Sequence, residues 1–148
     1  MNFHLSQIPD RTAKPRQSGI TMMMDKGLSV RETEDFISAS GALADVVKFG
    51  FGSAYVTQRL DDKLKLYREA GIPTYFGGTL LEAFIIRNQF DDYLRLLEKY
   101  KMEYAEISDG SITLPHDEKC ELIRRLTKYV TVISEVGSKE EGIIIRPN

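Results

Sequence analysis

Five times along this chain an apolar run rich in β-branched or aromatic residues breaks off into charged, small or glycine residues, and a stretch with helical periodicity follows. The runs are Ile20 to Met24 before Asp25-Lys26-Gly27, Val46-Val47 before Lys48-Phe49-Gly50, Thr74 to Phe76 before Gly77-Gly78-Thr79, Tyr104 to Ile107 before Ser108-Asp109-Gly110, and Val130 to Ile133 before Ser134-Glu135-Val136-Gly137. Strands that alternate with helices require crossover connections, and crossovers place the strands parallel. Parallel sheets carry their chemistry at the carboxyl ends of the strands, so the polar residues that end the five runs are expected on one rim.

At 148 residues the chain can bury one core, and a net charge of -2 fits an ordinary soluble domain. No basic tract points to nucleic acid. No run reaches the roughly 18 apolar residues of a membrane helix, and the polar start lacks a signal-peptide core, so no membrane partner and a cytoplasmic location are expected. The single cysteine, Cys120, reads as a packed thiol on a helix.

Residues 1–18, with Pro9, Pro15, Arg11 and Arg16, read as an arm before a single domain over 19–148. Ser29 and Glu32 form a capping box for the first helix, Val30, Phe36 and Ile37 mark its buried face, and Gly41 stands where a left-handed C-cap belongs. Val56, Leu60, Leu64 and Tyr67 predict one helix face from Ser53 to Ala70, closed by Gly71. Two helices separated at Asn88-Gln89 follow the third strand. The last begins near Pro115, with Asp117 and Glu118 in its first turn, Lys128 in its last, and Leu122, Ile123 and Leu126 buried.

The rim gathers Asp25, Lys26, Lys48, Ser108, Asp109, Glu135 and Lys139, with Glu106 one alternation inside. Carboxylates and ammonium groups crowded together must pair or hold ligands. A carboxylate-bound metal beside a lysine-bound anion satisfies both signs, and Glu106-Ile107-Ser108-Asp109-Gly110 supplies alternating oxygens suited to a hard cation such as Mg²⁺. Each element also has a plainer explanation: Asp25 and Lys26 as a solvated turn, Glu82 as a capping box with Thr79, and Gly50, Gly52, Gly77 and Gly78 as tight turns rather than a phosphate cradle. No dinucleotide fingerprint or P-loop is present, and His4 and His116 have no zinc spacing.

Taken in order, ITMMMDKG (Ile20 to Gly27), DVVKFGFG (Asp45 to Gly52), GGTLLE (Gly77 to Glu82), EISDG (Glu106 to Gly110) and SEVGSK (Ser134 to Lys139) resemble the phosphosulfolactate synthase family over about residues 17–140. The resemblance implies an α/β chain of the (β/α)8 TIM-barrel family, here about five parallel strand-helix units of an incomplete barrel. A whole barrel takes about 250 residues, so 19–148 corresponds to its N-terminal portion. It further implies a carbon-sulfur lyase that adds sulfite to phosphoenolpyruvate with Mg²⁺, giving (2R)-phospho-3-sulfolactate, an intermediate on the way to coenzyme M or sulfolactate.

On that resemblance Lys139 matches the proposed general acid that protonates C2, and Glu106, Asp109 and Glu135 are expected to bind Mg²⁺. Lys26 and Lys48 are expected to neutralise the anionic substrates, with Asp25 and Ser108 positioning them. The unpaired edges and apolar inner surface of an incomplete barrel predict a homo-oligomer. The competing readings are another Mg²⁺-dependent barrel enzyme acting on a phosphorylated small acid or sugar phosphate, and a non-catalytic binding or stress-related relative.

Overall fold

The computed structural model describes residues 3–137. Each of the five apolar runs contributes a strand: β1 (Met22–Asp25), β2 (Val46–Phe49), β3 (Thr74–Phe76), β4 (Tyr104–Ile107) and β5 (Thr131–Ser134). Between them lie α1 (Val30–Ser40), α2 (Ser53–Val56), α3 (Leu60–Glu69), α4 (Gly78–Ile85), α5 (Phe90–Lys99) and α6 (His116–Leu126). The architecture is α/β, with a parallel sheet in the order β1-β2-β3 and a parallel pair β4-β5.

Register separates the two faces of the first sheet. Asp25, Phe49 and Phe76 are partners in one row, while Met24, Lys48 and Tyr75 form the next row. Successive strand side chains point to opposite faces, so these rows diverge. The Phe49 row faces the helices, where Val47, Phe49 and Phe76 pack with Tyr67, Leu81, Tyr93, Leu97 and, from β4, Ala105 and Ile107. Burial of each large apolar side chain there contributes about 1.5–3 kcal/mol. The Lys48 row faces the other way.

Side chains join the two sheets where β3 meets β4. Thr74 Oγ1 approaches Met102 Sδ at 3.7 Å, and the Tyr75 and Tyr104 rings lie 6.5 Å apart. From α4, the buried Glu82 carboxylate accepts hydrogen bonds from the Ser108 hydroxyl, Gly110 N–H (3.0 Å) and Ser111 N–H (3.2 Å). Glu82 is therefore a tie to the loop after β4. It does not cap its own helix, whose N-cap residue, Gly77, makes no side-chain cap bond.

Several local expectations hold. The Ser29–Glu32 capping box forms in full, and Phe36 and Ile37 pack against the core. The break between α4 and α5 includes Asn88 at φ 54°. Gly71, at φ 66°, ends α3, with Ile72 N–H donating to Tyr67 O (2.9 Å) and Gly71 N–H to Arg68 O (3.0 Å).

Others are corrected. Strand β2 runs on through Phe49, so Lys48 lies within it. The stretch from Ser53 to Ala70 is two helices broken at Arg59, which adopts φ 56°, and Val56 is exposed. Gly41 stays right-handed (φ -55°) and opens a 3₁₀ turn against Ile37 and Ile72. Arg124 and Arg125, not Lys128, occupy the last turn of α6.

Charged anchors hold the two ends of β1. The arm is pinned through Asp45, whose carboxylate meets Arg16 Nη1 at 2.5 Å, Arg11 Nη2 at 3.3 Å and Thr21 N–H at 2.8 Å. Above all the Thr21 N–H, and then Arg16 and Arg11, hold the Asp45 carboxyl below the usual carboxylate range. At the other end of β1, Asp25 and Lys63 form a fully buried ion pair at 2.8 Å.

Because the Asp45 value is lowered on folding, its contribution is present above the unfolded carboxylate value near 3.8 and disappears as pH falls through the lower folded value. Asp45→Asn should therefore melt below the wild type at pH 7, and the gap should close on acidification toward pH 3; a gap independent of pH would contradict the anchor. Lys63→Met removes one partner of a buried pair and should lower unfolding free energy by about 3 kcal/mol in urea titration.

Candidate active site

Lys48 is the natural starting point, because a lysine inside a strand must find partners on the face where it emerges. Its Nζ lies 2.6 Å from Glu106 Oε1 and 3.8 Å from Glu135 Oε2. Glu106, on the neighbouring sheet, is 4% exposed. Its Oε1 also accepts Gly78 N–H at 2.8 Å, and its Oε2 accepts the Tyr75 hydroxyl at 3.3 Å. Burial first, then the charges of Glu106 and Glu135, push the Tyr75 hydroxyl well above its ordinary value, so the phenol stays protonated and remains a donor.

The glycines after β3 are explained by this packing. A Cβ on Gly77 would stand 2.8 Å from Lys48 Cε, and one on Gly78 would stand 2.2 Å from Ser108 Oγ. Backbone approach is close here as the glycines suggested, but the anion that the Gly78 N–H meets is the protein's own Glu106.

The structure brings Lys48, Glu106 and Glu135 together and sends other rim residues elsewhere. Asp25 belongs to the Phe49 row, on the opposite face, and is fully buried. Its Oδ1 accepts Gly27 N–H and Leu28 N–H, each at 2.9 Å, and its Oδ2 accepts the Tyr67 hydroxyl at 2.9 Å and meets Lys63. These contacts shape the turn after β1. Lys26, on that turn, is exposed, with its ammonium 5.4 Å from the Phe51 ring centroid. Ser108 is buried and donates to Glu82. Asp109 pairs with Lys119 Nζ at 2.8 Å. Lys139 lies outside the described residues.

Lys119, not singled out by the sequence reading, links the last two loops: beside Asp109 it also donates to the Glu135 carbonyl at 2.8 Å. Lys63 was missed in the same way, and Glu82 was singled out but read as a local cap. All three sit at helical spacing from buried residues, Lys63 four before Tyr67, Glu82 four after Gly78, and Lys119 three and seven before Leu122 and Leu126. A charged residue interrupting an apolar stripe was the available signal.

The expected Mg²⁺ ligand set does not assemble. Among the described residues no group of three His, Cys, Asp or Glu side chains could hold a metal ion. Both Glu106 oxygens are engaged, Asp109 is paired with Lys119 at 2.8 Å, and the Glu135 carboxylate has only the longer 3.8 Å contact with Lys48 among the described residues. A cavity of about 400 Å³ is lined by Phe51, Tyr55, Thr79, Leu80 and Arg87, among others, and by none of Lys48, Glu106 or Glu135. Among the described residues no helix is long and apolar enough to cross a membrane.

Comparison with known proteins agrees with the sequence motifs. The family model for (2R)-phospho-3-sulfolactate synthase (ComA) matches residues 9–146. A phosphosulfolactate synthase of Bacillus subtilis is 33% identical over 146 residues, covering 99% of this chain and 58% of the relative. Those of Methanothermobacter thermautotrophicus and Methanocaldococcus jannaschii are 34% and 38% identical, covering 89% and 83% of this chain and 52% and 50% of the relatives. The chain thus spans about half the length of the curated relatives it matches. With the match running through every strand and loop described above, the chain belongs to the (2R)-phospho-3-sulfolactate synthase (ComA) family.

Proposed function

We propose that this chain forms the N-terminal portion of a (β/α)8 barrel that adds sulfite to phosphoenolpyruvate to give (2R)-phospho-3-sulfolactate. The observation that carries the reading is Lys48: an ammonium on the strand face opposite the core, held by Glu106 and approached by Glu135, in a chain matched by that family from residue 9 to 146. In a barrel, that face turns inward. Phosphoenolpyruvate and sulfite are both small anions, and a fixed ammonium in a partly desolvated setting binds such groups without reorganising.

The chemistry makes clear demands. The sulfur lone pair of sulfite forms a bond to the methylene carbon, the π electrons of the double bond move to C2 and its carboxylate, and a proton delivered to C2 completes the product. Lys48 would offset charge on the carboxylate or sulfite oxygens, and Lys26 would add a second ammonium from the turn after β1. Lys139 would be the proton donor. Asp25 and Ser108 would act at a distance, by fixing the turns after β1 and β4 through their buried partners.

Mg²⁺ stays in the proposal as the cofactor the resemblance implies. Because Glu106, Asp109 and Glu135 do not converge, its protein contacts would be few; Mg²⁺ commonly takes only one or two carboxylates and fills its shell with water and substrate oxygens. A homo-oligomer in the cytoplasm completes the reading.

The assay is loss of phosphoenolpyruvate with and without sulfite. Consumption should require sulfite, and Lys139→Ala should reduce it by about 10²-fold or more at an unchanged melting temperature. Turnover independent of sulfite would point to a different barrel enzyme, and an unimpaired Lys139→Ala variant would remove that residue from the mechanism.

A further inference from the structure

The Lys48 ammonium is shared by two carboxylates that hold it with unequal firmness. Glu106 is buried, lies at 2.6 Å and is fixed by Gly78 N–H and the Tyr75 hydroxyl. It cannot withdraw without orphaning both donors. Glu135 stands at 3.8 Å with its side chain 38% exposed, and among the described residues Lys48 is the one ion-pair or hydrogen-bond partner of its carboxylate. Its backbone is nonetheless pinned: the N–H donates to Ile107 O at 2.9 Å and the carbonyl accepts Lys119 Nζ at 2.8 Å.

One ammonium facing two carboxylates leaves an excess negative charge, the wrong sign for a site that must receive an anion. We propose that Glu135 is a displaceable internal anion. It sits against Lys48 in the resting site and gives way to an oxyanion of the incoming substrate, while Glu106 stays and keeps the ammonium in place. The exchange needs only rotation of an exposed side chain on a fixed backbone. It also makes the site selective, because a ligand must outcompete a tethered carboxylate, which neutral molecules cannot do. This deepens the proposed function and rests on Lys48 being the ammonium that meets the substrate.

The test is titration calorimetry of phosphoenolpyruvate, at one Mg²⁺ concentration held the same throughout, on the wild type, Glu135→Gln, Lys48→Met and Lys48→Arg, each checked by thermal melting. Removing a negative charge about 4 Å from the ammonium should tighten binding about fivefold or more in Glu135→Gln. Lys48→Met should abolish it, and Lys48→Arg should retain it. Equal or weaker binding by Glu135→Gln, with Lys48→Met still inactive in binding, would overturn the displacement and leave the proposed function standing. Unchanged binding by Lys48→Met, or no binding by any variant, would remove Lys48 from the site and with it both readings.

Discussion

Glu106 carries the constraint on which the site depends. A carboxylate buried to this degree must have its charge neutralised and its lone pairs filled, and it meets that demand with groups from three other places in the chain: Lys48 on β2, Tyr75 on β3 and the Gly78 N–H at the start of α4. Because β1-β2-β3 and β4-β5 are separate hydrogen-bonded sheets, these contacts do across the gap what a backbone ladder does within each sheet. Glu82 repeats the arrangement one loop further along, binding the segment after β4 to α4. The absence of side chains at Gly77 and Gly78 is what lets Lys48 and Ser108 come close enough for both ties.

Strand alternation then sorts charge by role. Asp25 and Lys48 lie one step apart in register, yet they emerge on opposite faces. Asp25 is absorbed beneath the helices by Lys63, Tyr67 and the turn amides, where it shapes the loop that carries Lys26. Lys48 emerges on the other face, where Glu106 fixes it and Glu135 reaches it from the end of β5. Lys119 sets where Glu135 stands by holding its carbonyl together with Asp109. Charges that converge in the linear pattern are thus divided between scaffold and site.

The strands were readable because apolar runs bounded by glycine and charge have few alternatives, and the Ser29–Glu32 cap because both partners are local. What the sequence concealed depends on distant partners or on unusual backbone. Arg59 in a left-handed conformation splits an apparently continuous helix face, and Gly41 does not need the left-handed conformation that its position suggests. Asp25 and Asp109 looked available, and Glu82 looked like a local cap, because their partners, Lys63, Lys119 and the loop after β4, come from other elements. The convergence of Lys48, Glu106 and Glu135 was legible from their place at parallel strand ends. Their division into a fixed and a loose carboxylate was not, since it rests on which donors reach Glu106.

The central claim is that Lys48 and Glu106 act as one unit joining the two sheets, and a double-mutant cycle reads this directly. Urea unfolding of the wild type, Lys48→Met, Glu106→Gln and the double variant should show a coupling of about 1–3 kcal/mol, because either single change strands a partly buried charge that the double change removes. Additive effects, with coupling indistinguishable from zero, would contradict the account.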